Sequence, residues 1–130
     1  MPKLIHTEIR VTDINISLRF YQQAFGLKET HRIEFDDFSL VYLRNFESEA
    51  EIELTWNSGQ AEYSHGSGYG QVAFVVDDLG LHFKQLCNLG LKPAPIKEFK
   101  KGGELLARSF FIQDPDGYKI KVLQRGGHYQ

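Results

Sequence analysis

Apolar positions in this chain change period several times, and the changes mark its elements. From Leu4 to Val11 they alternate. Ile5, Thr7, Ile9 and Val11 take one face, and His6, Glu8 and Arg10 take the other, which is the period of a strand. Thr12-Asp13 ends that strand, and Asp13 suits the N-cap of a helix. Ile14, Leu18, Tyr21 and Phe25 then recur at helical spacing, and Gly26 stops the helix. A second strand follows Leu27-Lys28-Glu29-Thr30. A third, Ser39 to Leu43, follows an Asp36-Asp37 turn. In a fourth, Ile52, Leu54 and Trp56 alternate with Glu51, Glu53 and Thr55.

The same grammar returns after a Gly- and Ser-rich stretch, 58–70. Gln71 to Val76 is a strand, Asp77-Asp78 a cap, and Leu79, Phe83, Leu86 and Gly90 a helical stripe. Cys87 falls among the leucines of that helix and reads as a small core residue. Lys97 to Glu104 reads as a charged loop, Leu105 to Ile112 and Tyr118 to Leu123 as strands. Asp114-Pro115-Asp116-Gly117 between those strands is a tight turn. Val11-Thr12-Asp13-Ile14 and Val76-Asp77-Asp78-Leu79 are about 65 residues apart, and Gly26-Leu27-Lys28 is echoed by Gly90-Leu91-Lys92. The chain is therefore predicted to be α+β, two βαβββ modules at 1–57 and 71–123 joined by the linker 58–70. The tail 124–130 is expected to fray.

Composition narrows the class. Hydrophobic content of 42% and aromatic content of 13% support a real core. The net charge is −2 with no basic block, which argues against nucleic acid and anionic membranes as partners. No apolar run approaches the roughly 18 residues of a membrane span, and Met1 to His6 lacks the apolar stretch of a signal peptide. A single cysteine fits a reducing, cytoplasmic setting.

Neither module buries its apolar face alone, so pairing within the chain or across a dimer is expected to enclose a cleft. Alternation nominates the residues that face it: His6, Glu8 and Arg10; Glu51 and Glu53; Gln71; Lys119 and Lys121. His31 and His65 are read as loop or turn residues. Trp56 and the phenylalanines are read as core.

In this order, Leu4-Ile5-His6-Thr7 with Arg10-Val11, Phe20-Tyr21 with Gly26-Leu27-Lys28, Ile52-Glu53-Leu54-Thr55-Trp56-Asn57, Gly68-Tyr69-Gly70 and Asp114-Pro115-Asp116-Gly117-Tyr118-Lys119-Ile120 resemble the vicinal oxygen chelate superfamily. Within it they look most like the glyoxalase I (lactoylglutathione lyase) branch, and nearly the whole chain is covered. The resemblance implies a homodimer in which each half supplies two ligands to a Zn²⁺ or Ni²⁺ ion. It implies a small-molecule substrate, the glutathione–methylglyoxal hemithioacetal. His6 and Glu53 match two metal positions. The third carries Gln71 in place of His and the fourth Lys121 in place of Glu, which is also the family's base position. Gln71 still offers an amide oxygen, whereas the Lys121 ammonium repels a cation. Arg10 and Asn57 match positions that hold the γ-glutamyl end of the tripeptide, and Lys100, Lys101 and Gly102 match the loop at its glycyl end. Arginine suits a carboxylate through its bidentate fork.

Two classes of function follow. One is a metal-dependent lyase on His6, Glu53 and Gln71. The other is a protein with no metal that sequesters a small anionic or thiol-conjugated ligand, its pocket bridged by Lys121 and Glu53, as bleomycin-resistance members sequester a drug. A divergent epimerase or thiol transferase of the superfamily is a third, weaker reading.

Overall fold

A computed structural model describes all 130 residues. They divide into two units, Met1–Ser64 and His65–Gln130, and the division falls inside the stretch 58–70. The first unit comprises β1 (His6–Val11), α1 (Ile14–Phe25), β2 (Lys28–Glu34), β3 (Phe38–Arg44) and β4 (Glu51–Asn57). Its sheet order is β1-β4-β3-β2, with β1 parallel to β4 and the other pairs antiparallel. A parallel pair needs a long crossover, and α1 with the β2–β3 hairpin supplies it.

Local chemistry sets the helix ends. The Asp13 carboxylate accepts the Ile16 amide at 3.1 Å. Gly26 adopts φ 64°, and its N–H returns to the Gln22 carbonyl. The buried stripe of α1 is Ser17, Phe20, Tyr21, Ala24 and Phe25, while Ile14 and Leu18 are only half-buried. The helix is thus rotated from the expected stripe toward Phe20 and Ala24. It covers the sheet face formed by Ile9, Val11, Val41, Leu43, Ile52 and Leu54, all buried. Burying one large aliphatic side chain stabilises by about 1.5–3 kcal/mol, so this face anchors the unit.

The second unit comprises β5 (Val72–Val76), α2 (Leu79–Asn88), β6 (Lys97–Lys101), β7 (Glu104–Gln113) and β8 (Lys119–Gln124). Its order, β5-β8-β7-β6, repeats the first with β5 parallel to β8. The Asp78 carboxylate caps α2 by accepting the Leu81 amide at 3.0 Å. The 114–117 turn closes with the Gly117 amide on the Asp114 carbonyl at 2.9 Å, at a Gly117 φ of 83°. Leu79, Leu86, Phe110, Ile112, Ile120 and Val122 form the core.

Further sequence expectations fail. Lys97 to Lys101 is not loop but an edge strand, paired to β7 through a Gly102-Gly103 turn. Its five residues are exposed, so charge on them costs little and no alternation develops. Cys87 is exposed, because it lies one position round the helix from the buried Leu86. The tail does not fray. The Arg125 amide bonds the Val76 carbonyl at 2.8 Å, and Gly126 pairs with Tyr129. Finally, Phe35, Phe46 and Phe99 are exposed and Trp56 is half-buried, so the aromatic residues are not uniformly core. No helix is long and apolar enough to cross a membrane.

Candidate functional site

Each sheet has one face covered by its own helix and one that is not. The helix-free face of the first unit gathers half of the residues nominated from sequence. On β1 it carries His6, Glu8 and Arg10, and on β4 Glu51, Glu53, Thr55 and Asn57. Register brings His6 opposite Glu51 and Glu8 opposite Glu53. On the other flank of β4, Tyr42 of β3 lies opposite Glu53 and Leu40 opposite Thr55.

Glu53 is 6% exposed, and a buried carboxylate requires a donor. The Tyr42 hydroxyl donates to it. That hydrogen bond is the main reason the Tyr42 pKa rises from 10.0 to about 12, followed by burial and then by the charges of Glu53, Glu51 and Glu8. The His6 ring leans across β4 to lie edge-on to Tyr42 at 5.6 Å between centroids, and His31 of β2 lies 5.9 Å from Tyr42 on its other side. Glu51 accepts a hydrogen bond from the Thr30 hydroxyl at the β2 bulge. Thr55 Oγ1 is buried on this face with no partner. Arg10 extends outward, its Nε 3.6 Å from Glu8 Oε1, and Asn57 Nδ2 meets the Tyr63 hydroxyl at 3.4 Å.

The second unit holds the other nominated residues, and its helix-free face differs in kind. Lys119 and Lys121 project from it. Ala73 of β5 and Phe111 of β7 flank Lys121, and Gln113 of β7 lies opposite Lys119. The register is not slipped, since Ile120 and Val122 are fully buried on the α2 side. The Lys119 and Lys121 ammonium groups lie 4.7 and 5.9 Å from the Phe111 centroid. Gln71 is exposed immediately before β5. Lys100 and Lys101 end β6, exposed, with the Lys100 ammonium 3.7 Å from Glu98, and Gly102 turns the hairpin at φ 59°. Glu53 and Lys121 each have a partner of their own unit, Tyr42 for one and Phe111 for the other.

These side chains fit a metal poorly. No group of three or more His, Cys, Asp or Glu side chains converges to hold an ion. The chain offers an imidazole, a carboxylate already serving a phenol, a neutral amide and an ammonium. The last has no lone pair and adds repulsion.

The sequence pattern leaves Tyr42 unmarked, and His31, expected in a loop or turn, lies in β2 opposite Tyr42 because that strand's apolar positions do not alternate. Tyr42 sits in the strand Ser39-Leu40-Val41-Tyr42-Leu43, where nothing in the pattern marks it. Only the β3–β4 register reveals that its polar tip meets Glu53.

Known proteins agree with this architecture. Residues 3–122 match the family model described as Glyoxalase/Bleomycin resistance protein/Dioxygenase superfamily. The lactoylglutathione lyase of Haemophilus influenzae is 35% identical, over 94% of this chain and 92% of its own length. That of Salmonella typhimurium is 32% identical over the same shares, 94% and 92%. Among solved structures, the trypanothione-dependent glyoxalase I of Leishmania major superposes with a TM-score of 0.77 at 30% identity, covering 95% of this chain and 87% of that one. Glyoxalase I of Zea mays gives 0.84 at 27% identity, over 96% of this chain but 45% of the maize chain. The chain belongs to the glyoxalase/bleomycin resistance protein/dioxygenase superfamily, and within it is lactoylglutathione lyase-like.

Proposed function

We propose that the protein takes the ligand class of the lactoylglutathione lyases, a glutathione-type thiol conjugate, and holds it without a metal ion. The observation that carries this reading is Lys121. It stands on the helix-free face of β8, between Ala73 and Phe111, where the family pattern calls for a carboxylate. A cation there opposes a second cation and removes the base that proton abstraction beside a carbonyl requires. Ligand recognition is less affected. Arg10, paired with Glu8, and Asn57, bonded to Tyr63, share a face with the unpartnered Thr55 hydroxyl, so a guanidinium, an amide and a buried hydroxyl stand together where a bound peptide-like ligand can exchange its polar groups for those partners.

The test combines three measurements on the purified protein: metal content after exposure to Ni²⁺ and Zn²⁺, turnover of the glutathione–methylglyoxal hemithioacetal, and calorimetric binding of S-lactoylglutathione. We expect no stoichiometric metal, no turnover, and saturable binding that weakens about tenfold or more in Arg10→Ala, the loss of a charge-assisted contact. Absence of binding sinks the proposal.

A second reading, a metal-dependent lyase on His6, Glu53 and Gln71, is favoured by His6 and Glu53 sharing one face. Its signature is retained metal together with hemithioacetal turnover, both lost in Glu53→Ala. The resemblance also leads us to infer a homodimer, visible as twice the 15.0 kDa chain mass in sedimentation.

A further inference from the structure

We propose that Lys119 and Lys121 form an anion-binding site on the second unit, which takes a carboxylate or phosphate group carried by the ligand. The two residues stand two apart on β8 and project from the same helix-free face. Both ammonium groups rest near a single ring, Phe111, at 4.7 and 5.9 Å from its centroid. An aromatic face attracts a cation and holds it in place without neutralising it. Two like charges at this spacing repel, and an anion shared between them removes that cost.

The surroundings favour a ligand rather than bulk solvent alone. Lys119 and Phe111 border a cavity of ≈ 630 Å³ that also touches Leu91, Lys92 and Ile112. Lys92 is the second lysine of the lining, Lys121 stands outside it at the Phe111 ring, and Leu91, Ile112 and Phe111 supply apolar wall. The one carboxylate in the lining is Asp114, which is buried. Its Oδ1 accepts the Asp116 and Tyr118 amides at 2.9 Å each, so its charge is engaged in the turn. A pocket with apolar walls and lysines at its border suits a small molecule with an apolar body and an anionic end.

This inference deepens the reading above and rests on it. It adds that the conjugate carries a negative charge of its own, and that the second unit has Lys119 and Lys121 to receive such a charge.

The experiment compares two probes of equal size by calorimetry, S-carboxymethylglutathione and its neutral isostere S-carbamoylmethylglutathione. The wild-type protein is expected to bind the carboxylate about tenfold more tightly, the scale of one or two charge-assisted hydrogen bonds. In Lys119→Gln/Lys121→Gln the carboxylate probe should lose about tenfold in affinity and the preference should vanish. Equal binding of the two probes by the wild type overturns the anion site and leaves the proposed function standing. If neither probe binds, the proposed function fails, and inorganic phosphate then decides the site in an NMR titration. Saturable shifts centred on the Phe111 and Lys119 amides, and absent from the double variant, support it. Scattered shifts, or none, overturn it. The wild-type comparison needs no variant, so a misfolded double variant does not rescue the proposal.

Discussion

The central strands of the two sheets answer the same design with opposite charges. In the first unit β4 presents Glu53, flanked by Glu8 on β1 and Tyr42 on β3. In the second, β8 presents Lys121, flanked by Ala73 on β5 and Phe111 on β7. Strand order matches throughout, and register matches in the pairs that the central strand makes, while the outer pairs carry their irregularity on β2 in one unit and on β7 in the other. The side chains have changed together: a buried carboxylate faces a phenol that can donate to it, and an ammonium faces a ring with no hydroxyl. A phenol serves an anion and an aromatic face serves a cation. The comparison teaches that the aromatic position on the neighbouring strand follows the charge on the central one. It also teaches that a repeat can conserve its pleat while reversing the ion it prefers.

The most damaging way to break this comparison is to reverse the charge that separates the two faces. Lys121→Glu replaces the ammonium by a carboxylate on an unchanged strand. We expect Ni²⁺ affinity to rise about a hundredfold or more, since charge pairs at contact distance are worth several kcal/mol where water is partly excluded. Equilibrium dialysis against a competing chelator measures it. If the affinity does not move, charge at position 121 is not what keeps metal away, and the neutral Gln71 becomes the limiting donor.

Much of this contrast was legible in the sequence, and the part that was not has a physical cause. The repeat of Val11-Thr12-Asp13 and Val76-Asp77-Asp78 marks both helix starts, because an Asp side chain satisfies orphan amides wherever a helix begins. The structure has Asp13 and Asp78 doing so. Alternation likewise separates Lys121 from Ile120 and Val122 without knowledge of any partner strand. What alternation does not carry is register across strands. The pattern does not single out Tyr42, which stands between Val41 and Leu43, and its role depends on Glu53, eleven residues away and directly opposite. The edge strand β6 was hidden for a related reason. Lys97, Glu98, Lys100 and Lys101 are exposed, so their pairing to β7 is a backbone matter that side-chain pattern does not record. Cys87 is exposed beside the buried Leu86 because one position along a helix is a rotation of about 100°, which carries it off the apolar stripe.

A finer test sharpens the first half of the comparison through pH. The Tyr42 phenol titrates at about 12 in the folded protein against 10.0 unperturbed, chiefly because it donates to Glu53. A raised phenol pKa means that the folded state holds the proton more tightly than the unfolded one. The stabilisation is therefore complete below pH 10.0 and is lost as pH climbs toward 12. Absorbance titration of tyrosinate, wild type minus Tyr42→Phe, should isolate one slow-titrating phenol. In Glu53→Gln that phenol should fall back toward 10.0. The stability gap between wild type and Tyr42→Phe should be flat through neutral pH and close in strong alkali. A phenol that titrates normally in the wild type would sever Tyr42 from Glu53 and leave the aromatic pairing in the two units coincidental.

The smallest effect probes whether the repeat extends beyond its strands to the helix ends. Gly26 and Gly90 both adopt left-handed backbone, φ 64° and 77°, and in neither case does an added Cβ meet another atom within 4 Å. Substitution by alanine therefore costs conformational strain alone, about 1–2 kcal/mol for an L-residue in that region. The two caps are nonetheless built differently. The Gly26 amide reaches back to the Gln22 and Tyr21 carbonyls directly after α1. Gly90 follows an ordinary right-handed Leu89, and its amide reaches the Cys87 carbonyl at 3.0 Å. Strain belongs to the left-handed residue in both, so urea denaturation of Gly26→Ala and Gly90→Ala should give losses within about 0.5 kcal/mol of each other. A clear inequality would mean that the two helix ends differ in how far they can relax, and that the equivalence of the units stops at the sheets.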